Sequence, residues 1–241
     1  MPDTRFITEF DQYLFGQGTH YDLYNKLGAH PMTVDEEEGV YFAVWAPNAE
    51  EVSIVVPTVL VVASKDEELK DLVQDVFMNE FMRIYTSNDI KGVELGGALK
   101  NIIAFCSGVA AGIGFGDNTF AALITRGLVE IRKLGVALGG EKETFYGLSG
   151  LGDLIVTCLS EHSRNRKAGL LIGQGKSLEE TKNEVGMVIE SIDNIETAKK
   201  VSDELNIELP ILNTVYDILY NNLEPKKAVE MLMTRKKKQE D

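Results

Sequence analysis

From Asp89 almost to its end the chain sets apolar residues at spacings of three and four, and that periodicity commits about 150 residues to helices packed on one another. Start signals stand at Asp117-Asn118-Thr119, Ser163, Ser177 and Pro210, so about seven or eight helices are expected there. The preceding segment has another style. Thr58 to Ala63 is a continuous apolar run suited to a buried parallel strand, a charged amphipathic helix follows from about Asp66 to Met78, and a second strand is expected near Phe81 to Thr86. One such β-α-β unit cannot make a stable open sheet, so it reads as the end of a larger sheet that this chain does not contain. Earlier still, Val40 to Val56 shows β-prone runs around the turn signal Ala46-Pro47-Asn48-Ala49, with Val40, Phe42 and Val44 alternating with Tyr41, Ala43 and Trp45. That pattern predicts a hairpin from an all-β module. The fold class is therefore mainly α: an all-helical domain preceded by a small mixed α/β and β-hairpin region.

Charge narrows the ligands. A net charge of −14 argues against nucleic acid and anionic membrane as partners, so any anionic ligand must meet a local basic cluster. Cys106 and Cys158 sit in apolar stretches without the close pairing of a metal or redox motif and read as buried reduced thiols. No charged-then-apolar leader opens the chain and its apolar runs are short, which leads to the expectation of a cytoplasmic protein without a membrane span. His20, His30 and His162 lack metal-ligand spacing, so no metal is expected. The closing Arg235-Lys236-Lys237-Lys238 run reads as a solvated helix end.

Three features suggest chemistry. In Gly92-Val93-Glu94-Leu95-Gly96-Gly97-Ala98-Leu99-Lys100-Asn101 the residues three and four from Lys100 include no carboxylate, and Lys100 leans across Gly96 and Gly97, where missing side chains leave room for a ligand. A lysine in such an apolar cleft suits a general base or a point-charge anchor, whereas a lone lysine elsewhere simply snorkels to solvent. The glycine-rich Gly147-Leu148-Ser149-Gly150-Leu151-Gly152 sets Asp153 at the start of an apolar helix, either as an N-cap or as an acceptor for a substrate hydroxyl. Ser163-Arg164-Asn165-Arg166-Lys167 begins a helix with three cations in its first turns, where the dipole disfavours them, and a bound phosphate resolves that conflict as a solvated basic patch does. Gly112-Ile113-Gly114-Phe115-Gly116 and the loop near Gly150 both lack the G-x-G-x-x-G spacing after a strand, so neither is a dinucleotide fingerprint.

Taken in order, GVELGGALKN, GFGDNTFAALITRG, GLSGLGDLIVTC and SRNRKAG resemble the carboxy-terminal half of bacterial NAD(P)-dependent glycerol-3-phosphate dehydrogenase over about residues 57–227. The resemblance implies a helical substrate domain like the C-terminal domain of 6-phosphogluconate dehydrogenase. It implies NAD or NADP as cofactor, glycerol 3-phosphate and dihydroxyacetone phosphate as substrates, and a homodimer as a compatible assembly. By the same resemblance Lys100 is the proton acceptor, and Lys100, Asp153, Ser163, Arg164 and Asn165 contact the substrate. Arg164, Val188 and Glu190 touch the cofactor. The chain departs from the family's V-V-E-G at Val188-Ile189-Glu190-Ser191, and the amino-terminal Rossmann half is missing. Instead, Tyr24-Asn25-Lys26-Leu27-Gly28-Ala29-His30 and Phe42-Ala43-Val44-Trp45-Ala46-Pro47-Asn48-Ala49 resemble the start of the amino-terminal β-sandwich of glycogen branching enzymes. The expected organisation is a chimera: 1–56 a branching-enzyme-like fragment, 57–90 a remnant Rossmann edge and 91–241 the helical substrate domain. The expected activity is that of a dehydrogenase impaired on its own, with α-glucan binding or a non-functional fusion as the alternatives.

Overall fold

The computed structural model describes residues 28–34, 37–43 and 58–235, and the chain divides into two compact units, Met1–Val55 and Val56–Asp241. In the first unit β1 (Gly28–Val34) pairs antiparallel with β2 (Glu37–Ala43), with Gly28 opposite Ala43 and Val34 opposite Glu37. The hairpin thus closes between Val34 and Glu37. The turn expected at Ala46 to Ala49, together with Trp45 and the remaining run to Val56, lies outside the described residues. Pro31, which has no N–H to give to a ladder, makes GAHPMTV a poor strand by sequence, although it faces Val40 within β1.

The second unit opens with β3 (Thr58–Ala63), α1 (Glu67–Phe77) and β4 (Met82–Ser87). The two strands run parallel with Thr58 opposite Met82 and Ala63 opposite Ser87. Asp66 caps α1 by accepting from the Leu69 N–H, and Glu67 and Glu68 follow at its positive end. The expectation of a buried strand at Thr58 to Ala63 is corrected: Val59 and Leu60 are 47% and 48% exposed. Among the described residues the sheet has only these two strands, so no strand beyond β4 flanks β3.

From Ile90 onward the described residues form eight α-helices: α2 (Ile90–Ile113), α3 (Asp117–Ala137), α4 (Asp153–Leu159), α5 (Arg164–Gly173), α6 (Leu178–Val185), α7 (Glu190–Glu204), α8 (Pro210–Tyr220) and α9 (Pro225–Met233). Helix α2 is long and apolar enough to cross a membrane by length and composition, yet Asn101 through Ala110 are buried without a break because α3, α4, α5 and α7 pack around it. It is the axis of the core. Helices α2 and α5 meet backbone to backbone, since a Cβ on Gly108 would stand 2.0 Å from the Arg166 carbonyl oxygen and one on Gly169 1.9 Å from that of Phe105. Gly112 belongs to the same crossing and Gly114 ends α2 with φ of 97°, which accounts for the glycine cluster there without a nucleotide. Cys106 and Cys158 are buried free thiols, and burial pushes Cys158 up to about 12. Arg235 pairs with Glu208 just past α9, while Lys236 to Lys238 lie outside the described residues.

Glu130 of α3 carries one of the buried carboxylates. It accepts from the N–H groups of Ile211 (2.7 Å) and Leu212 (3.1 Å), the open donors of the first turn of α8. Burial outweighs these bonds and raises its carboxyl to about 7 from 4.5. Between those values the folded chain holds a proton that the unfolded chain has released. Its contribution to stability is therefore full below pH 4.5 and is lost as pH rises through 7, a span on the order of 3 kcal/mol. Thermal melts of the parent and Glu130→Gln chains at pH 5 and pH 8 test this. The parent is expected to lose more stability over that interval, and parallel pH profiles would refute the assignment.

Candidate functional site

Helix α2 begins at Asp89, whose buried carboxylate accepts from the Gly92 N–H (2.8 Å), the Glu141 N–H (2.7 Å) and the Thr144 hydroxyl (2.7 Å). Burial alone raises this carboxyl, but the three hydrogen bonds together hold it below the ordinary range. Asp89 thus ties the start of α2 to the turn Lys142–Tyr146. Next comes a single π turn, Leu148–Gly152, a wide helical turn that recurs at functional sites. A Cβ on Gly96 would lie 2.6 Å from the Ser149 carbonyl oxygen, whereas one on Gly97 would meet nothing within 4 Å. The expectation that both glycines leave room is therefore corrected. Gly96 lets the π turn approach, and Gly97 alone faces open space.

That approach brings Asp153 onto Lys100. Lys100 Nζ donates to Asp153 Oδ2 at 2.5 Å, with the side chains 21% and 38% exposed. Asp153 is the first residue of α4 and makes no capping bond, so of the two roles read for it the N-cap is excluded. The pair presents an amino group and a carboxylate side by side, partly open to solvent, able to exchange a proton with a bound hydroxyl or carbonyl.

One residue further along α2, Asn101 Nδ2 donates to Glu190 Oε2 at 2.9 Å, and the other Glu190 oxygen lies 3.5 Å from Arg164 Nη2. Glu190 therefore stands between the helix of Lys100 and the first turn of α5. Ser163 caps α5, its Oγ accepting from the Arg166 N–H at 3.2 Å. The side chain of Arg164 remains 41% exposed beside the N–H groups of that turn. Asn165 is buried and its Oδ1 accepts from the Ser191 N–H at 2.9 Å, so this oxygen holds α5 to α7. Asn194 Nδ2 donates to the Ala98 carbonyl (2.9 Å), a further tie of α7 to α2. Val188, just before α7, is 69% exposed.

The structure thus joins Lys100 to Asp153 directly, and Arg164, Glu190 and Asn165 through Asn101 and Ser191. Sequence reasoning missed Asp89, Asn101 and Glu130. Asp89, three residues before Gly92, was detectable as a cap, but the other two depend on partners more than 80 positions away. An apolar cavity of about 390 Å³ between α2, α3, α8 and α9 contains none of the predicted site residues. No group of three or more His, Cys, Asp or Glu able to hold a metal occurs among the described residues.

Residues 89–230 match the family model for the NAD-dependent glycerol-3-phosphate dehydrogenase C-terminus, and residues 26–75 match carbohydrate-binding module 48, the isoamylase N-terminal domain. The chain is 53% identical over 193 residues to glycerol-3-phosphate dehydrogenase [NAD(P)+] of Clostridium acetobutylicum, covering 80% of this chain and 58% of the relative. It is 54% identical to that of Fusobacterium nucleatum with the same coverage. The crystal structure of glycerol-3-phosphate dehydrogenase from Coxiella burnetii superposes with a TM-score of 0.72 at 38% identity, over 75% of this chain and 55% of that one. The Saccharomyces cerevisiae enzyme gives 0.62 at 28% identity, over 67% and 48%. The chain therefore spans little more than half the length of the curated relatives it matches.

Proposed function

The chain belongs to the NAD-dependent glycerol-3-phosphate dehydrogenase family through that family's C-terminal domain, and on this basis we propose that it holds the triose phosphate and moves its proton in an NAD(P)-dependent glycerol-3-phosphate dehydrogenase reaction. The observation that carries the reading is the Lys100–Asp153 pair at 2.5 Å, tied through Asn101 and Glu190 to Arg164 at the start of α5. In this assignment residues 91–241 are the substrate domain and 57–90 the edge of a dinucleotide-binding sheet.

Each group has a task suited to its chemistry. The capped first turn of α5 offers backbone N–H donors, and the planar fork of Arg164 adds charge-assisted bonds, so the phosphate sits there. As the neutral amine, Lys100 Nζ accepts the proton of the carbon-2 hydroxyl during oxidation and becomes the ammonium that Asp153 pairs with; in reduction that ammonium gives the proton to the carbonyl oxygen. Asp153 keeps the ammonium in place and accepts a hydrogen bond from a substrate hydroxyl. The chemistry that a nicotinamide would supply here, when bound, is hydride transfer at carbon 2. Arg164, Glu190 and the exposed Val188 lie where α5 and α7 begin, which fits contact with one edge of that cofactor. The strand-to-helix turns at 64–66 and 88–89 contain no glycine, so they do not fit the cofactor's diphosphate.

Calorimetric titration with glycerol 3-phosphate tests the substrate grip on the chain alone. Binding is expected, weakened about tenfold or more by Arg164→Ala, while glycerol without its phosphate does not bind. No heat with glycerol 3-phosphate, or an unchanged affinity in Arg164→Ala, would overturn the assignment.

A further inference from the structure

The cavity between α2, α3, α8 and α9 has no part in the site described above. Its volume of about 390 Å³ falls in the range of small-molecule sites, roughly 300–1,000 Å³, whereas voids inside well-packed domains seldom exceed a water molecule. Val109 and Ala110 of α2, Val215 and Ile218 of α8, and Ala228 and Leu232 of α9 form apolar walls of the kind that take apolar ligands. Helix α3 closes the cavity with a stripe of another kind. Arg126, Glu130 and Lys133 recur at spacings of four and three, so they share the face of α3 that lines the cavity, and Arg235 lines it from just past α9.

The charges on this stripe are not balanced. Both carboxylate oxygens of Glu130 accept from the N–H groups of Ile211 and Leu212, and Arg235 is paired with Glu208. Among the described residues Arg126 and Lys133 enter no ion pair. An apolar slot with two unpaired cations on one wall fits a molecule with an apolar chain and a single anionic end. Lys236 to Asp241, which follow Arg235, include no apolar residue, so they do not match the walls.

We propose that this cavity binds the anion of a straight-chain fatty acid, with the alkyl chain between α2, α8 and α9 and the carboxylate meeting Arg126 and Lys133. The charge-assisted bonds of a guanidinium and an ammonium suit a carboxylate. The cavity shares no residue with the Lys100–Asp153 pair or with the first turn of α5, so the proposal stands apart from the dehydrogenase reading.

The test is calorimetric titration of the full chain with sodium octanoate, decanoate and dodecanoate below micelle formation, with dodecyltrimethylammonium as the cationic control. One molecule per chain is expected, with affinity rising about fourfold for each methylene buried. The cationic control should bind about tenfold more weakly or worse. Arg126 is exposed and Lys133 half-buried, so the double substitution Arg126→Gln and Lys133→Gln should weaken dodecanoate about tenfold or more while the melting transition stays in place. Leu232→Trp fills the cavity and should abolish binding. Hydrogen exchange of the parent should show the amides of α8 and α9 gaining protection with dodecanoate. No heat with dodecanoate, equal affinity for the two head groups, unchanged affinity in the double variant, or binding that survives in a folded Leu232→Trp chain overturns the proposal. So does a homodimer whose α8 and α9 amides are already protected and which takes up no dodecanoate.

Discussion

A Gly169→Leu chain is expected not to fold. A Cβ at this position would already stand 1.9 Å from the Phe105 carbonyl oxygen and 2.9 Å from the Val109 nitrogen, and both are backbone atoms of a helix that cannot yield locally. The flanking core has no slack, since Phe105 and Ala168 are fully buried. Relief requires α5 to move away from α2, and that separation would also break the Asn165–Ser191 bond and draw the first turn of α5 out of the site. The loss should exceed about 4 kcal/mol, a large part of the roughly 5–15 kcal/mol that holds a domain together. Gly97→Ala is the matched control. Nothing lies within 4 Å of its Cβ position, and alanine in a helix interior is worth up to about 1 kcal/mol over glycine. Far-ultraviolet circular dichroism against temperature separates the two, and a cooperative melt of Gly169→Leu near that of the parent would contradict the close crossing.

Lys100→Met is expected to do the opposite, removing chemistry and sparing the fold. In a fusion of residues 57–241 to the amino-terminal portion of the Clostridium acetobutylicum relative, kcat for dihydroxyacetone phosphate reduction should fall about 10²- to 10⁴-fold, the usual worth of a positioned proton donor. The Lys100–Asp153 pair is partly exposed, and methionine keeps most of the aliphatic stem, so stability should change by no more than about 1 kcal/mol. Affinity for glycerol 3-phosphate should drop far less than with Arg164→Ala, because the phosphate is gripped at α5. Steady-state rates, melting and titration on the same preparations resolve these effects. A variant that retains its rate would remove Lys100 from proton transfer.

What was legible in the chain followed from local rules. The spacing of Leu95, Leu99, Ile102, Ile103 and Cys106 along α2, the cap at Ser163 and the proline at the start of α8 are each written within a few residues. The parallel pairing of β3 with β4 was foreseeable from a β-α-β pattern, but the burial of β3 was not, because burial depends on what covers a strand. β1 escaped the sequence for a related reason. Pro31 argues against a strand by local rules, and only its pairing opposite Val40 reveals one.

By itself the sequence determined that this protein is mainly helical, which residue types gather around Lys100 and the start of α5, and which family's motifs they form. Only the tertiary structure decided that Asp153 faces Lys100 rather than capping its own helix, that Gly96 serves packing while Gly97 stays open, and that Glu190 bridges Asn101 and Arg164. The reason is physical. Helix periodicity and capping depend on neighbours within a turn or two, whereas Lys100 meets Asp153 across 53 positions and Asn101 meets Glu190 across 89. Such contacts exist only once α2, α4, α5 and α7 have packed to within a few tenths of an ångström.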